Sequence, residues 1–156
     1  MSATRTYLAP RALDELALAA TDKDAAIIAG GTDLIPRWSK DIAPRPATII
    51  DIKSVEGLHG IQRIDGFVHI GACTVMSELE AEPVIRKAAP FLAEAAARIA
   101  CAQIRNRATI GGNLCNASPA ADTAVPLLLL DAVLDLRRSS PNGATTREVP
   151  ITEFFL

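Results

Sequence analysis

Two short strand-like runs, Ile61 to Ile64 and Phe67 to Ile70, stand on either side of Asp65-Gly66. A two-residue Asp-Gly connection tolerates the positive φ values of a type I′ turn, so the segment predicts a hairpin of two antiparallel strands. That excludes a single parallel sheet running the length of the chain. Upstream the pattern differs. Leu13, Leu16, Ala17 and Ala20 fall on one face of a helix spanning Arg11 to Ala20, with Asp14 and Glu15 outside. Ala26 to Ala29 reads as a short strand entering Gly30-Gly31, and Thr48 to Ile52 as another, preceded by the breaker-rich Ala43-Pro44-Arg45-Pro46. Asp33 to Lys40 has room for a short turn of helix that Pro36 limits. Strand, helix and strand make a small α/β unit ending near residue 57, so the chain is expected to divide into residues 1–57 and 58–156.

Beyond the hairpin, Val75 to Ala81 and Pro90 to Ala100 read as helices, the second opening on proline and presenting Phe91, Leu92, Ala95 and Ile99 as its apolar stripe. Residues 101 to 122 are expected to be mostly turn-like, too polar to hide a helix. A helix from about Asp122 through Leu127 to Leu130, a strand from Ala132 to Leu136 and a turn at Pro141-Asn142-Gly143 follow. The finish REVPITEFFL, Arg147 to Leu156, stops on an apolar run where a backbone is expected to continue, which predicts a cut or a subunit boundary there.

Charge narrows the partners. Lys plus Arg number 16 against 18 Asp plus Glu, a net charge of -2, so no global basic field is present to hold nucleic acid or an anionic membrane. Apolar stretches are broken by Asp, Arg or Pro well before the roughly 18 residues of a spanning helix, and no signal core follows Arg5, so neither membrane insertion nor secretion is expected. Cys73, Cys101 and Cys115 are an odd number without CxxC or finger spacing; they fit a reducing, cytoplasmic compartment, and no metal site is expected.

The chemistry-bearing candidates are two glycine-rich segments. In AIIAGGTDLIP, Ala26 to Pro36, a strand delivers Gly30 and Gly31, which let backbone amides approach a phosphate, while Thr32 adds a hydroxyl donor. The segment is neither GxGxxG nor a Walker loop, and a plain tight turn is the alternative reading. Asp33 can cap the short helix or accept from a ligand hydroxyl, with capping favoured in the absence of a partner. In RNRATIGGNLCNASPAAD, Arg105 to Asp122, Thr109, Asn113, Asn116 and Ser118 surround a second small-residue turn and suit a nucleotide-like ligand held without a metal. Alternatively these side chains satisfy the backbone of a long loop. Arg105 and Arg107 can neutralise a diphosphate, contact a partner or simply lie in solvent. His59, His69, Trp38 and the cysteines carry structural or surface readings.

AIIAGGTDLIP and ATIGGNLCNASPAADTAVPLLLLDA, with the intervening TIIDIKSVEGLHGI and the closing ITEFF, make the chain resemble, over essentially its whole length, the FAD-binding medium subunit of the molybdenum-containing hydroxylases, the family of xanthine and carbon monoxide dehydrogenases. The resemblance implies a mixed α/β and α+β fold: a two-subdomain FAD-binding architecture with a small N-terminal α/β unit, a larger antiparallel-sheet unit and the dinucleotide between them. It implies that Ile28 enters, and Ala29, Gly30, Gly31, Thr32 and Asp33 form, the first pyrophosphate- and ribose-binding loop. Thr109, Gly111, Gly112 and Asn113 match the second loop, and Ser118 and Asp122 match positions lining the dinucleotide.

No amino acid is nominated as nucleophile or base, since the flavin carries the redox chemistry. The implied function is electron transfer from [2Fe-2S] centres of a small subunit, fed by a molybdenum-cofactor large subunit, to an external acceptor such as a nicotinamide, oxygen or a quinone. The family's usual third, C-terminal portion has no counterpart here, and a separate chain supplying it is among the explanations left open. Two alternatives stand beside this reading: a non-catalytic interaction module that keeps the fold, and a component of a different FAD oxidoreductase.

Overall fold

A computed structural model of the chain describes residues 5–20, 22, 24–118, 121–140 and 143–155. The first part is α/β, in the order β1 (Thr6–Leu8), α1 (Leu13–Ala19), β2 (Ala25–Ile28), α2 (Leu34–Ser39) and β3 (Thr48–Asp51). All three strands are parallel, with β3 in the middle of the order β1-β3-β2. The strand β1 is absent from the sequence-based expectation because its three residues are all exposed and so carry no alternation. Helix α1 opens with Glu15 reaching back to accept from the backbone N–H of Arg11 and Ala12, half of a capping box. Those two bonds hold the Glu15 carboxyl below its ordinary pKa.

The second part begins with the expected hairpin, β4 (Ile61–Ile64) and β5 (Phe67–Ile70), in antiparallel register Ile64 to Phe67. Asp65 at φ 50 and Gly66 at φ 87 occupy the left-handed region at both turn positions, as a type I′ turn requires. Helices α3 (Met76–Ala81), α4 (Pro83–Ala88), α5 (Pro90–Arg98), α6 (Ala102–Arg105), α7 (Ile110–Cys115) and α8 (Ala124–Leu129) follow. A second antiparallel ribbon, β6 (Val133–Ser140) and β7 (Gly143–Pro150), leads into α9 (Ile151–Phe154). The mixed α/β and α+β class holds, with the antiparallel pairing present as two two-stranded ribbons among the described residues.

The main core is built from the helices. Met76, Leu79, Ile85, Leu92, Ala96, Ile110, Leu114, Leu127 and Ile151 are buried together, and Ile61, Val68 and Ile70 lay the inner face of the hairpin on them. At roughly 1.5–3 kcal/mol for each large apolar side chain buried, this cluster is the main source of cohesion in the second part.

Several expectations change. Residues 101 to 122 are not mostly turn: α6 and α7 lie there, each four to six residues long and too short for a periodic stripe to announce. On α5 the buried face is Leu92, Ala93 and Ala96, while Phe91 is 66% exposed. Helix α4 went unread although Glu82 accepts from Val84 N–H at its N-terminus and Pro83 takes the first helical position. The strand expected at Ala132 to Leu136 runs on to Ser140 and pairs with a second strand. The turn expected at Pro141-Asn142-Gly143 involves Pro141 and Asn142, which lie outside the described residues.

Candidate functional site

The carboxyl ends of the parallel strands converge on one group of side chains. Asp51, the last residue of β3, is 7% exposed. Its carboxylate accepts from the Tyr7 hydroxyl of β1, from Lys53 Nζ at 2.5 Å and from Lys53 N–H at 3.0 Å. Burial alone would raise the Asp51 carboxyl, but the hydrogen bonds from Lys53 and Tyr7 and the ammonium charge outweigh it and leave its pKa below the ordinary value. The same hydrogen bond raises Tyr7, with burial and the Asp51 charge adding to it and the nearby Arg107 charge opposing it. Lys53 Nζ also donates to the carbonyl of Ala29, the residue between β2 and Gly30, at 3.2 Å.

Past Ala29 the chain turns. Gly31 adopts φ +72, and a Cβ there would meet Ile28 Cδ1 at 2.8 Å and Ile35 Cδ1 at 2.9 Å, so buried Ile28 forms the floor of the loop. The backbone N–H groups of Gly31, Thr32 and Asp33 have no acceptor among the described residues, and neither does the Thr32 hydroxyl. Ile35 N–H closes the loop onto Gly31 O at 3.1 Å. Asp33 takes the N-cap position of α2 without a side-chain cap bond; it meets Arg37 at 3.5 Å instead, so the capping role expected for its side chain is not the one observed.

The second glycine segment is helical. Thr109, 2% exposed, caps α7 by accepting from Gly112 N–H at 3.2 Å. Ile110 N–H donates to Thr74 O, Gly111 N–H to Ala72 O and Asn113 N–H to Thr109 O. Every amide from Ile110 to Asn113 is therefore committed within the protein, unlike those of the first loop. Gly111 has a packing reason, since a Cβ there would stand 2.8 Å from both Ala72 Cβ and Ala72 O. Asn113 Oδ1 accepts from the buried Thr123 hydroxyl at 2.5 Å. Ser118 is half-buried, and Asp122 is exposed and borders a surface depression between α5 and α8 lined also by Phe91, Glu94, Arg98, Val125 and Leu129.

Gly30 joins the two segments. A Cβ on Gly30 would lie 2.1 Å from Arg107 O and 3.1 Å from Ala108 Cα, so the first loop rests directly on the backbone leading into Thr109. The first loop is thereby seated on the residues just ahead of the second segment, a proximity that their separation in sequence left open. The two arginines part company here. Arg105 bonds Glu80 at 3.0 Å and Ile99 O at 3.3 Å and ties α6 to α3, whereas exposed Arg107 has no hydrogen bond or ion pair among the described residues.

Lys53 and Tyr7, missed by motif reading, belong to this neighbourhood. Lys53 had one local signal, its place just beyond the strand ending at Asp51, where open α/β sheets hold ligands, whereas Tyr7 lies inside the unexpected strand β1 and had none. His59 is exposed and contacts Lys53 O at 2.6 Å through Nε2, and His69 is exposed on β5. Cys73 is buried against Ile52 O, and that burial pushes its thiol up to about 11. Burial of the Cys115 thiol raises it as well, although the residue as a whole is exposed.

A diphosphate-bearing cofactor fits this arrangement chemically. The N–H groups of Gly31, Thr32 and Asp33 and the Thr32 hydroxyl, uncommitted among the described residues, are donors an anion needs and follow the end of parallel strand β2, while exposed Arg107 adds a positive charge at the segment Gly30 rests on. The second segment contributes side chains and support rather than amides.

A family model described as the FAD binding domain in molybdopterin dehydrogenase matches residues 2–156. The nicotinate dehydrogenase FAD-subunit of Eubacterium barkeri is 38% identical over 156 residues, covering 96% of this chain and 50% of its own length. The putative xanthine dehydrogenase FAD-binding subunit of Escherichia coli K12 is 39% identical over 90% of this chain and 47% of its own. The solved carbon monoxide dehydrogenase of Hydrogenophaga pseudoflava superposes with a TM-score of 0.88 at 37% identity, over 100% of this chain and 54% of that one. The chain thus spans about half the length of the relatives it matches.

Proposed function

Because the chain belongs to the family of FAD-binding domains of molybdopterin dehydrogenases, we propose that its glycine loops hold FAD within an electron-transfer subunit of a molybdenum-containing hydroxylase. The observation that supports the site is the seating of Gly30, immediately before amides that have no acceptor among the described residues, on the Arg107-Ala108 backbone that leads into Thr109. In this reading those amides and the Thr32 hydroxyl donate to the diphosphate, and Ile28 and Ala29 shape the loop beneath it. Thr109, Gly111 and Gly112 form the capped start of α7, seated on Ala72, as the second loop of the site. Asn113, Ser118 and Asp122 supply polar groups along the rest of the dinucleotide.

The bound flavin supplies the redox chemistry; the protein binds it, orients it and controls its access to water. No residue of this chain is assigned as nucleophile or general base. The division at residues 57 and 58 into a small and a larger subdomain is part of the proposal, supported by the end of the parallel sheet at Asp51 and the start of the hairpin at Ile61. So is the wider assembly: a small [2Fe-2S] subunit donating electrons, a large molybdenum-cofactor subunit and an external acceptor, in the cytoplasm. Among the described residues no helix is long and apolar enough to cross a membrane.

The test is the absorption spectrum of the purified chain before and after heat release, with the released nucleotide identified by chromatography. Near-stoichiometric FAD, in the chain alone or after co-expression with iron-sulfur and molybdenum subunits, is expected. A folded chain free of flavin in both preparations overturns the proposal.

A further inference from the structure

Lys53 lies outside both glycine segments, yet its ammonium bridges the end of the sheet to the first of them. Nζ donates to Asp51 Oδ2 at 2.5 Å and to Ala29 O at 3.2 Å, and Asp51 in turn accepts from the Tyr7 hydroxyl. One residue from each parallel strand or its exit is thus joined in a single chain of bonds: Tyr7 on β1, Asp51 on β3 and Ala29 after β2. Asp51 is almost wholly buried, so the ammonium cannot swing away without leaving a buried carboxylate short of its charge partner.

A peptide unit is planar, with its C=O and N–H fixed in opposite directions. Holding the Ala29 oxygen therefore fixes the plane that joins Ala29 to Gly30, immediately ahead of the loop whose amides have no acceptor among the described residues. Gly30 and Gly31 lack the Cβ that would otherwise restrict rotation, so this plane needs an outside restraint. On one side it has the packing of Gly30 against Arg107 O; on the other it has Lys53.

We propose that Lys53, anchored by Asp51, is a positioning residue for the first glycine loop: by holding the Ala29 carbonyl it sets the direction in which the N–H groups of Gly31, Thr32 and Asp33 point. The proposal rests on the FAD reading for its functional consequence, but the hold on the loop is measurable without flavin.

The experiment compares the full chain with K53M, K53R and the double variant D51N/K53M. The double variant removes the donor to Ala29 without leaving a buried charge unpaired, so it remains informative where K53M fails to fold. Amide chemical shifts and hydrogen exchange of Gly31, Thr32 and Asp33 are followed in the flavin-free chain, with Ile110 to Asn113 as the internal reference. FAD affinity is then measured by fluorescence titration.

Loss of one charge-assisted bond predicts FAD binding weaker by about tenfold or more in K53M and D51N/K53M. Altered loop amides and unaltered reference amides are expected in both, with K53R, which keeps both donations, close to the parent. Unchanged loop amides in the double variant overturn the proposal. Weaker FAD binding with unchanged amides also overturns it, since Lys53 would then act as a charge on the ligand. Altered amides in a parent chain that takes no FAD would support the hold of Lys53 on the loop while removing the flavin from it.

Discussion

Replacing Gly30 with alanine separates steric from conformational demands at the loop junction. Its φ is not in the left-handed region, so alanine meets no backbone strain there. By restricting the unfolded chain, the substitution would by itself stabilise by about 0.4–1 kcal/mol. Against this, the new Cβ would stand 2.1 Å from Arg107 O and 2.8 Å from Arg107 C. Ordinary carbon-to-oxygen contact begins at roughly 3.3 Å, so the two backbones must part by about 1 Å.

The opposing strand of chain resists. Ala108 O accepts from Met76 N–H at 2.9 Å, and Thr109 pairs with Val75 in an isolated bridge. Overpacking of this kind costs about 1–3 kcal/mol, and a collision with backbone on both sides belongs at the upper end. The net loss is then about 2 kcal/mol, which for a chain of this size lowers Tm by roughly 4–8 °C. Thermal melting and urea titration read the stability, and FAD titration reads the site. Gly57→Ala is the control: its φ of +79 carries strain but nothing lies within 4 Å of the new Cβ, so stability falls slightly and FAD affinity does not. A Gly30→Ala chain that melts and binds FAD like the parent would refute the contact between the two segments.

Thr109→Ala should lose about 0.5–2 kcal/mol through the missing cap on Gly112 N–H while Thr109→Ser keeps most of it; equal urea midpoints for the two would argue against the cap. In thiol labelling at pH 8, exposed Cys101 should react first, and Cys73, buried with its pKa pushed to about 11, only after denaturation; labelling of both at one rate would contradict the burial. Asp51 has its pKa lowered on folding, so its carboxylate adds stability in full above the unfolded value near 3.9, and that contribution is lost as pH falls through the lower folded value. Asp51→Asn should accordingly be less stable than the parent at pH 7, with the gap closing in acid, and a gap that persists undiminished at the acid end would show that the carboxylate charge is not the cause.

The hairpin at Ile61 to Ile70 was legible down to its residues because everything that makes it is local: short β-branched and aromatic runs on both sides and an Asp-Gly pair able to adopt positive φ. The strand before Gly30 and the body of α5 were legible for the same reason, with apolar period and proline acting over a few neighbours. Phe91 shows the limit. It lies within the apolar stripe by spacing, yet the face that meets the core is set by what packs on it: Leu92 and Ile99 of that stripe are buried together with Ala93 and Ala96, while Phe91 faces out. Helices α6 and α7 were illegible because four to six residues cannot nucleate a helix on propensity alone; α7 contains adjacent glycines and exists through the Thr109 cap and its seat on Ala72.

The sequence by local pattern alone carries two glycine-rich segments within a chain that changes from α/β to antiparallel pairing, since composition, turn residues and strand period act between near neighbours, and only its resemblance to a known family reads those segments as a nucleotide site. Only the tertiary structure decided which segment has amides to give. The N–H groups of Gly31, Thr32 and Asp33 meet no acceptor among the described residues, while those of Ile110 to Asn113 are taken up by Ala72, Thr74 and Thr109. It also decided that Gly30 rests on Arg107, that Arg105 belongs to Glu80, and that Lys53 holds Ala29. Each of these pairs residues more than twenty positions apart, and such contacts are chosen by packing of the whole chain, on which local periodicity carries no information.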